Sequence, residues 1–153
     1  MKTTEGGGPK GYDAGEKVSG RKRNIITDTL GLLVGLSVHT ADIQDRDGAA
    51  LLLASICRYY PWLRHVFADG GYAGPKLIGA LRGTGRWTIQ IVKRSDCAKG
   101  FVVLPRRWVV ERTFAWLGRN RCLAKDFEKS IASAEAWALI ASIRLMTQQL
   151  TSI

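Results

Sequence analysis

The spacing of apolar residues alternates between two periods along this chain, and each change of period predicts an element. Leu139, Ile143, Met146 and Leu150 recur at helical intervals. They predict a closing helix near Ala134 to Leu150 with these four side chains on its core face. Trp87-Thr88-Ile89-Gln90-Ile91-Val92 alternates instead, as a half-buried strand does. Ile25-Ile26-Thr27 and Leu32 to Val38 flank Asp28-Thr29-Leu30-Gly31, the pattern of a β-hairpin with a short turn. Asp42-Ile43-Gln44-Asp45-Arg46-Asp47 then offers N-caps for a helix through Ala49 to Tyr60, which Pro61 ends. Leu63 to Ala68 reads as a short apolar strand closed by a turn at Gly70-Gly71, and Pro75 opens a small helix through Leu81. A polar loop from Lys93 to Gly100 leads to a helix over about Pro105 to Leu117. The order of hairpin, helix, strand, small helix, strand and helices belongs to the α/β class.

Ahead of this body lies a leader, residues 1–23, rich in glycine (Gly6, Gly7, Gly8, Gly11, Gly15) and basic through Lys2, Lys10, Lys17, Arg21, Lys22 and Arg23. Glycine at that density predicts a loop or mobile arm, with the folded domain occupying 24–153. At 153 residues the whole fits one domain able to bury roughly two-thirds of its unfolded surface. A hydrophobic fraction of 46% with 24% charged residues excludes a disordered chain. The net charge of +10 points to a polyanion or an anionic surface as partner. No stretch has the roughly 18 apolar residues of a membrane span. Three cysteines (Cys57, Cys97, Cys122) without C-x-x-C spacing read as reduced cytosolic thiols rather than a zinc site.

Two acids stand out. Asp69 follows the carboxyl end of a predicted strand and precedes two glycines, where α/β sheets place reactive groups. Glu111 lies on a helix four residues after Arg107 and eight before Arg119, so the three share one face. Carboxylates brought together on such elements hold Mg²⁺ through oxygen, and metals so held act on phosphodiesters. Each acid also has a plain structural explanation, a D-G turn for Asp69 and an i,i+4 ion pair for Glu111. Arg106, Arg107, Arg112, Arg119 and Arg121 fall within sixteen positions, a density that favours a nucleic-acid face. His39 and His65 lack ligand-spaced partners and read as structural, and Asp28 reads as a turn residue.

In order and spacing, five motifs resemble bacterial insertion-sequence transposases of the DDE type, most closely the insertion-sequence-five-like group. They are Gly20-Arg21-Lys22-Arg23, Thr27-Asp28-Thr29-Leu30-Gly31-Leu32, Gln44-Asp45-Arg46-Asp47-Gly48-Ala49, Ala68-Asp69-Gly70-Gly71-Tyr72-Ala73-Gly74 and the run from Pro105 to Trp116. The resemblance implies an RNase H-like fold, a mixed five-stranded sheet flanked by helices. It implies three acids holding two divalent ions, Mg²⁺ or Mn²⁺, with Asp69 and Glu111 as the second and third of them. DNA would be the partner, both element ends and target, contacted through Arg21, Lys22, Arg23, Arg106, Arg107, Arg112, Arg119 and Arg121. The implied setting is the bacterial cytoplasm and nucleoid, with homo-oligomers as a further expectation. Leu104 and Gly118 stand where the family carries an aromatic and a basic residue. The family's first acid belongs to a strand placed before the stretch that Lys2 begins. The chain is therefore expected to be the C-terminal portion of a transposase, lacking its first, central strand and inactive without the upstream segment. The other expectation is a DNA-binding remnant without chemistry.

Overall fold

The hairpin forms where the alternation predicts it, because β-branched and aliphatic residues on both sides of an Asp-Gly turn can pair on a single buried face. In this computed structural model, which describes residues 8–84, 88–92 and 106–152, strand β1 is Gly11–Asp13, β2 is Val18–Thr27 and β3 is Leu33–Thr40. They form an antiparallel sheet in the order β1-β2-β3, with Tyr12 opposite Ser19, Arg23 opposite Val38 and Ile25 opposite Leu36. In the turn, Asp28 Oδ1 accepts hydrogen bonds from Leu30 N–H at 2.9 Å and Leu32 N–H at 2.8 Å, while Gly31 takes a φ of +85°. Asp28 is thus a turn residue, as expected.

The expected leader is corrected from Gly11 onward: β1 and most of β2 lie in it, and the boundary placed after residue 23 cuts through β2. The basic residues that suggested a solvated arm are what anchor the strand. Arg21 has 0% of its surface exposed; its Nε lies 2.6 Å from Asp126 Oδ2, and its guanidinium donates to the Glu128 carbonyl. Lys22 bridges Asp13 and Asp45 from inside the sheet. Asp45, Asp126 and Glu128 are remote in sequence, so local composition could not reveal them, whereas Asp13 lies nine residues from Lys22 within the same leader.

Helix α1 spans Asp45–Cys57, starting at the expected acids and ending three residues before the expected Tyr60. Strand β4 is His65–Ala68, followed by a 3-10 turn over Gly70–Tyr72. Helix α2 is Pro75–Leu81, as Pro75 predicts, and crosses to β5 at Thr88–Ile91, which pairs parallel with β4 (His65 opposite Thr88, Ala68 opposite Ile91). Helix α3 is Arg107–Gly118, a short α4 is Arg121–Ala124, and α5 is Ile131–Thr151. The expectations placed on Met1 to Gly7, Trp87, Lys93 to Gly100, Cys97, Leu104 and Pro105 lie outside the described residues.

The molecule is therefore mixed α/β, but its five described strands make two sheets and not the expected one. Among the described residues, β2 beyond Gly20 has a strand on one edge only, β3, and β4 likewise has only β5. One core gathers Ala49, Leu52, Leu53 and Ile56 of α1 with Leu77 and Leu81 of α2. A second gathers Leu117, Leu123, Ala138 and Ala141.

The orientation expected for the last helix is reversed. Ala134, Ala138, Ala141 and Ser142 face inward, whereas of the four expected core residues Leu139, Ile143 and Leu150 are exposed, Leu150 at 72%, and Met146 alone is half-buried. Small side chains let α5 lie close against β3, where Glu135 Oε1 accepts the outward N–H of Val38 at 2.8 Å. That contact satisfies a sheet edge that aliphatic side chains could not serve.

Two stability outcomes follow from these contacts. Asp126→Ala removes a carboxylate that pairs with the fully buried Arg21 and should cost about 3–5 kcal/mol in denaturant unfolding. Arg21→Met combined with Asp126→Leu should recover most of that loss. Ala138→Leu should cost about 1–3 kcal/mol by overpacking, whereas Leu139→Ala should shift stability by no more than about 0.5 kcal/mol.

Candidate active site and nucleic-acid face

Asp69 stands immediately after β4, because the strand ends where Gly70-Gly71 can turn sharply. Its backbone is extended and its Oδ1 accepts the Gly71 N–H at 2.9 Å, capping the 3-10 turn. The residue is exposed, and no cation pairs with it among the described residues. A methyl group added at Gly71 would sit 3.2 Å from Asp69 Oδ1 and 3.9 Å from Asp45 Oδ2. Asp69 and Asp45 thus both border the same glycine.

Asp45 is the member of this neighbourhood that sequence reasoning read only as a helix cap. It is the first residue of α1, and its Oδ1 accepts from Lys22 Nζ at 3.1 Å. The signal lay in Gln44-Asp45-Arg46-Asp47, where one carboxylate more than capping requires was present. Asp47 does a different job, pairing with Lys76 at 2.9 Å.

Glu111 lies on α3 with its side chain exposed, its Oε1 accepting from Arg107 Nε at 3.0 Å, the expected i,i+4 pair. What orients α3 is the hairpin turn. Thr113 Oγ1 lies 2.7 Å from the Gly31 carbonyl oxygen and 3.0 Å from that of Val109, so its single O–H donates to one of them at a time, the shorter contact being to Gly31. Arg112 donates from Nη2 to the Leu30 carbonyl at 2.7 Å, while its guanidinium lies between the rings of Trp108 and Trp116 at 4.5 and 4.6 Å. Two of the sequence motifs, Thr27 to Leu32 and the run from Pro105 to Trp116, therefore meet in one joint through Leu30, Gly31, Arg112 and Thr113. The start of α3 meets β4 through Arg106, whose guanidinium lies 4.2 Å from the centre of the Phe67 ring.

Between these elements opens a groove of about 660 Å³, lined by Glu16, Lys22, Arg23, Asp45, Tyr72 and Phe114, among others. Tyr72 comes three residues after Asp69, and Phe114 one helical turn after Glu111, so the groove opens between the elements that carry the two acids. Burial raises the Tyr72 pKa, reinforced by the charges of Asp45 and Asp69, and the phenol keeps its proton. Burial acts to lower the Lys22 pKa, but hydrogen bonds to Asp13 and Asp45 outweigh it and the net shift is upward. Burial lowers the pKa of Arg23, whose Nη1 donates to the Leu123 carbonyl at 3.3 Å. Among the described residues, no three His, Cys, Asp or Glu side chains gather closely enough to hold a metal ion.

The eight basic residues expected to meet DNA divide sharply. Arg21 is fully buried on Asp126 and is corrected to a structural role. Arg112 is likewise committed to the joint, its faces covered by two indoles. Lys22 and Arg23 are drawn into the groove wall. Arg106, Arg107, Arg119 and Arg121 remain exposed. His39 is buried and its Nδ1 lies 3.0 Å from the Thr40 carbonyl, the structural role expected of it.

A family model described as the transposase DDE domain matches residues 1–146. A candidate transposase for insertion sequence element IS402 of Burkholderia cepacia is 32% identical over 117 residues, 72% of this chain and 54% of that protein. The chain thus spans about half the length of that curated relative. No solved structure matches it. No described helix is long and apolar enough to cross a membrane.

Thr113→Val should destabilise the protein by about 1–3 kcal/mol, because the Gly31 carbonyl loses a buried donor. Urea unfolding checks this. The hydrogen bond from Lys22, joined by those from Glu16 and Gly15 N–H, holds the Asp13 pKa below its ordinary value of 3.8. A lowered folded-state pKa contributes stability that is present above the ordinary value and lost as pH falls through the folded one. Melting curves recorded from about pH 5 to pH 2 should therefore decline less steeply for Asp13→Asn than for the wild type.

Proposed function

The chain belongs to the DDE transposase family, and on that premise we propose that it is the catalytic region of an insertion-sequence transposase of the insertion-sequence-five-like group. Its reaction is phosphodiester hydrolysis at the element end followed by strand transfer into target DNA. The observation that carries this reading is the groove itself, which is walled by Tyr72, three residues after Asp69, and by Phe114, one turn after Glu111, with Lys22 and Arg23 supplying positive charge. Exposed carboxylates are the oxygen donors that Mg²⁺ or Mn²⁺ takes, so Asp69 and Glu111 suit such ions as two of three ligands. Two such ions, when bound, supply Lewis acidity at the scissile phosphate and neutralise charge on the leaving oxygen.

The chain's own residues do the positioning. Asp69 is aimed by its cap on Gly71, and Glu111 by the Arg107 pair and by the joint at Thr113 and Arg112. Arg106, Arg107, Arg119 and Arg121 offer phosphate contacts, which fix register without reading sequence. Among the described residues, β2 beyond Gly20 and β4 each have one unpaired edge, which supports an RNase H-like arrangement in which a strand from an upstream segment, bearing the family's first acid, enters between the two sheets. Homo-oligomers on DNA and a place at the bacterial nucleoid belong to the same reading. The competing reading, a DNA-binding remnant, is favoured by the lack of a three-donor cluster among the described residues.

With the upstream segment supplied, Asp69→Asn and Glu111→Gln should each abolish metal-dependent strand cleavage and leave DNA binding intact. Asp28→Asn should cost only about 1 kcal/mol of stability and keep cleavage. Undiminished cleavage by Glu111→Gln, or none by the wild type under any metal, decides against the enzyme reading. The chain alone should bind duplex DNA without sequence preference, and log K should fall against log salt with a slope near −5 if about six phosphates are neutralised. Filter binding at several ionic strengths measures it.

A further inference from the structure

The connection between α1 and β4 carries a surface that the reading above leaves unused. From Arg58 to Ala68 it contains no Asp or Glu, and it alternates arginine and histidine with aromatic rings. Three of its side chains turn inward: Tyr60, Leu63 and Val66 pack on the core formed by α1 and α2. That anchoring pushes their neighbours out, so Tyr59 is 76% exposed and Trp62 72%. Arg58, Arg64 and His65 are exposed beside them, and no ion pair engages Arg58 or Arg64 among the described residues.

The surface continues along β4. His65 and Phe67 fall on one face of the strand by its period of two, their rings 4.6 Å apart and steeply inclined. Val66, on the opposite face, packs against the core. Phe67 in turn lies under the guanidinium of Arg106, and Arg106 holds a left-handed backbone with φ 69°, a conformation that costs a non-glycine residue energy. Rings and cations thus follow one another from Tyr59 and Trp62 to the start of α3, one turn before Glu111 and two residues before Asp69 along β4.

We propose that this row binds a single DNA strand leading away from the cleavage site, with unpaired bases stacking on Trp62 and Tyr59 and phosphates meeting Arg58, Arg64 and Arg106. The inference rests on the transposase reading for its choice of DNA. The preference for a single strand comes from the rings: an exposed aromatic face offers nothing to a base already stacked in a duplex, but stacks on a base that is free. Arginines interspersed with such rings, and no acid among them, complement the phosphates of the same strand.

The test is fluorescence anisotropy of a labelled twenty-nucleotide oligothymidylate and of a duplex of equal length, each titrated with the full chain in EDTA. The wild type should favour the single strand. Tyr59→Ala combined with Trp62→Ala should weaken single-strand binding at least about tenfold, with duplex binding within about twofold of wild type. Trp62→Phe should retain most of the affinity. Arg58→Gln with Arg64→Gln should reduce the single-strand salt slope by about 1.4. Both rings are exposed, although Trp62 meets Tyr60 edge-on at 5.7 Å, so each variant should stay folded with a melting temperature within about 5 °C of the wild type. Single-strand affinity untouched by the double aromatic change, or lost equally from the duplex, overturns the proposal. So does a wild-type dimer that the double change converts to monomer, which would assign the rings to a second copy of the chain. Omitting metal separates this test from that of cleavage: either can fail while the other stands.

Discussion

One guanidinium with no exposed surface holds this molecule in register. Arg21 enters from β2, meets Asp126 just beyond α4, and donates to the Glu128 carbonyl as the chain approaches α5. The hairpin, the end of the α3–α4 unit and the start of α5 therefore share a single tie point. A buried ion pair contributes little net stability, since desolvation offsets most of the attraction, but its rupture leaves a charge with nowhere to go. Its effect is to make one arrangement of these elements far better than any other. Glu111 depends on it indirectly, because the helix that carries it leads straight into α4 and Asp126.

The second hold on Glu111 comes from the hairpin tip. Thr113 and Arg112 grip the carbonyls of Gly31 and Leu30, so the helix is fixed both where the hairpin turns and where β2 runs. On the other side of the groove Asp69 is set by a short cap, and Asp45 is set by Lys22 from within the sheet. The acids thus sit on elements held by several contacts, which is the support that the proposed site requires.

Much of the fold could be read in the sequence wherever the information was local. The hairpin, α2 from Pro75, and the placement of Asp69 after a strand and Glu111 on a helix all follow from period and punctuation. What escaped was set by partners distant in the chain. The glycine-rich start forms strands because Arg21 and Lys22 find acids elsewhere, and Arg112 reads as a DNA contact until two indoles and a carbonyl are seen around it. Periodicity found the helix at α5 but misjudged which face is inside, since four large aliphatics outweigh alanines in any apolar count. Division into two sheets could not be foreseen from the strands, each of which has a clear local pattern.

The alanine face of α5 inverts the usual map of tolerance to mutation. Ala134, Ala138, Ala141 and Ser142 stand where a helix lies close against β3, so any side chain longer than a methyl or hydroxymethyl must wedge the two apart. Leu139, Ile143 and Leu150, which look like the indispensable residues, are exposed over about half or more of their surface. Among descendants of this chain, the smallest residues of the helix should be the ones that drift least, and the largest should be the ones that vary.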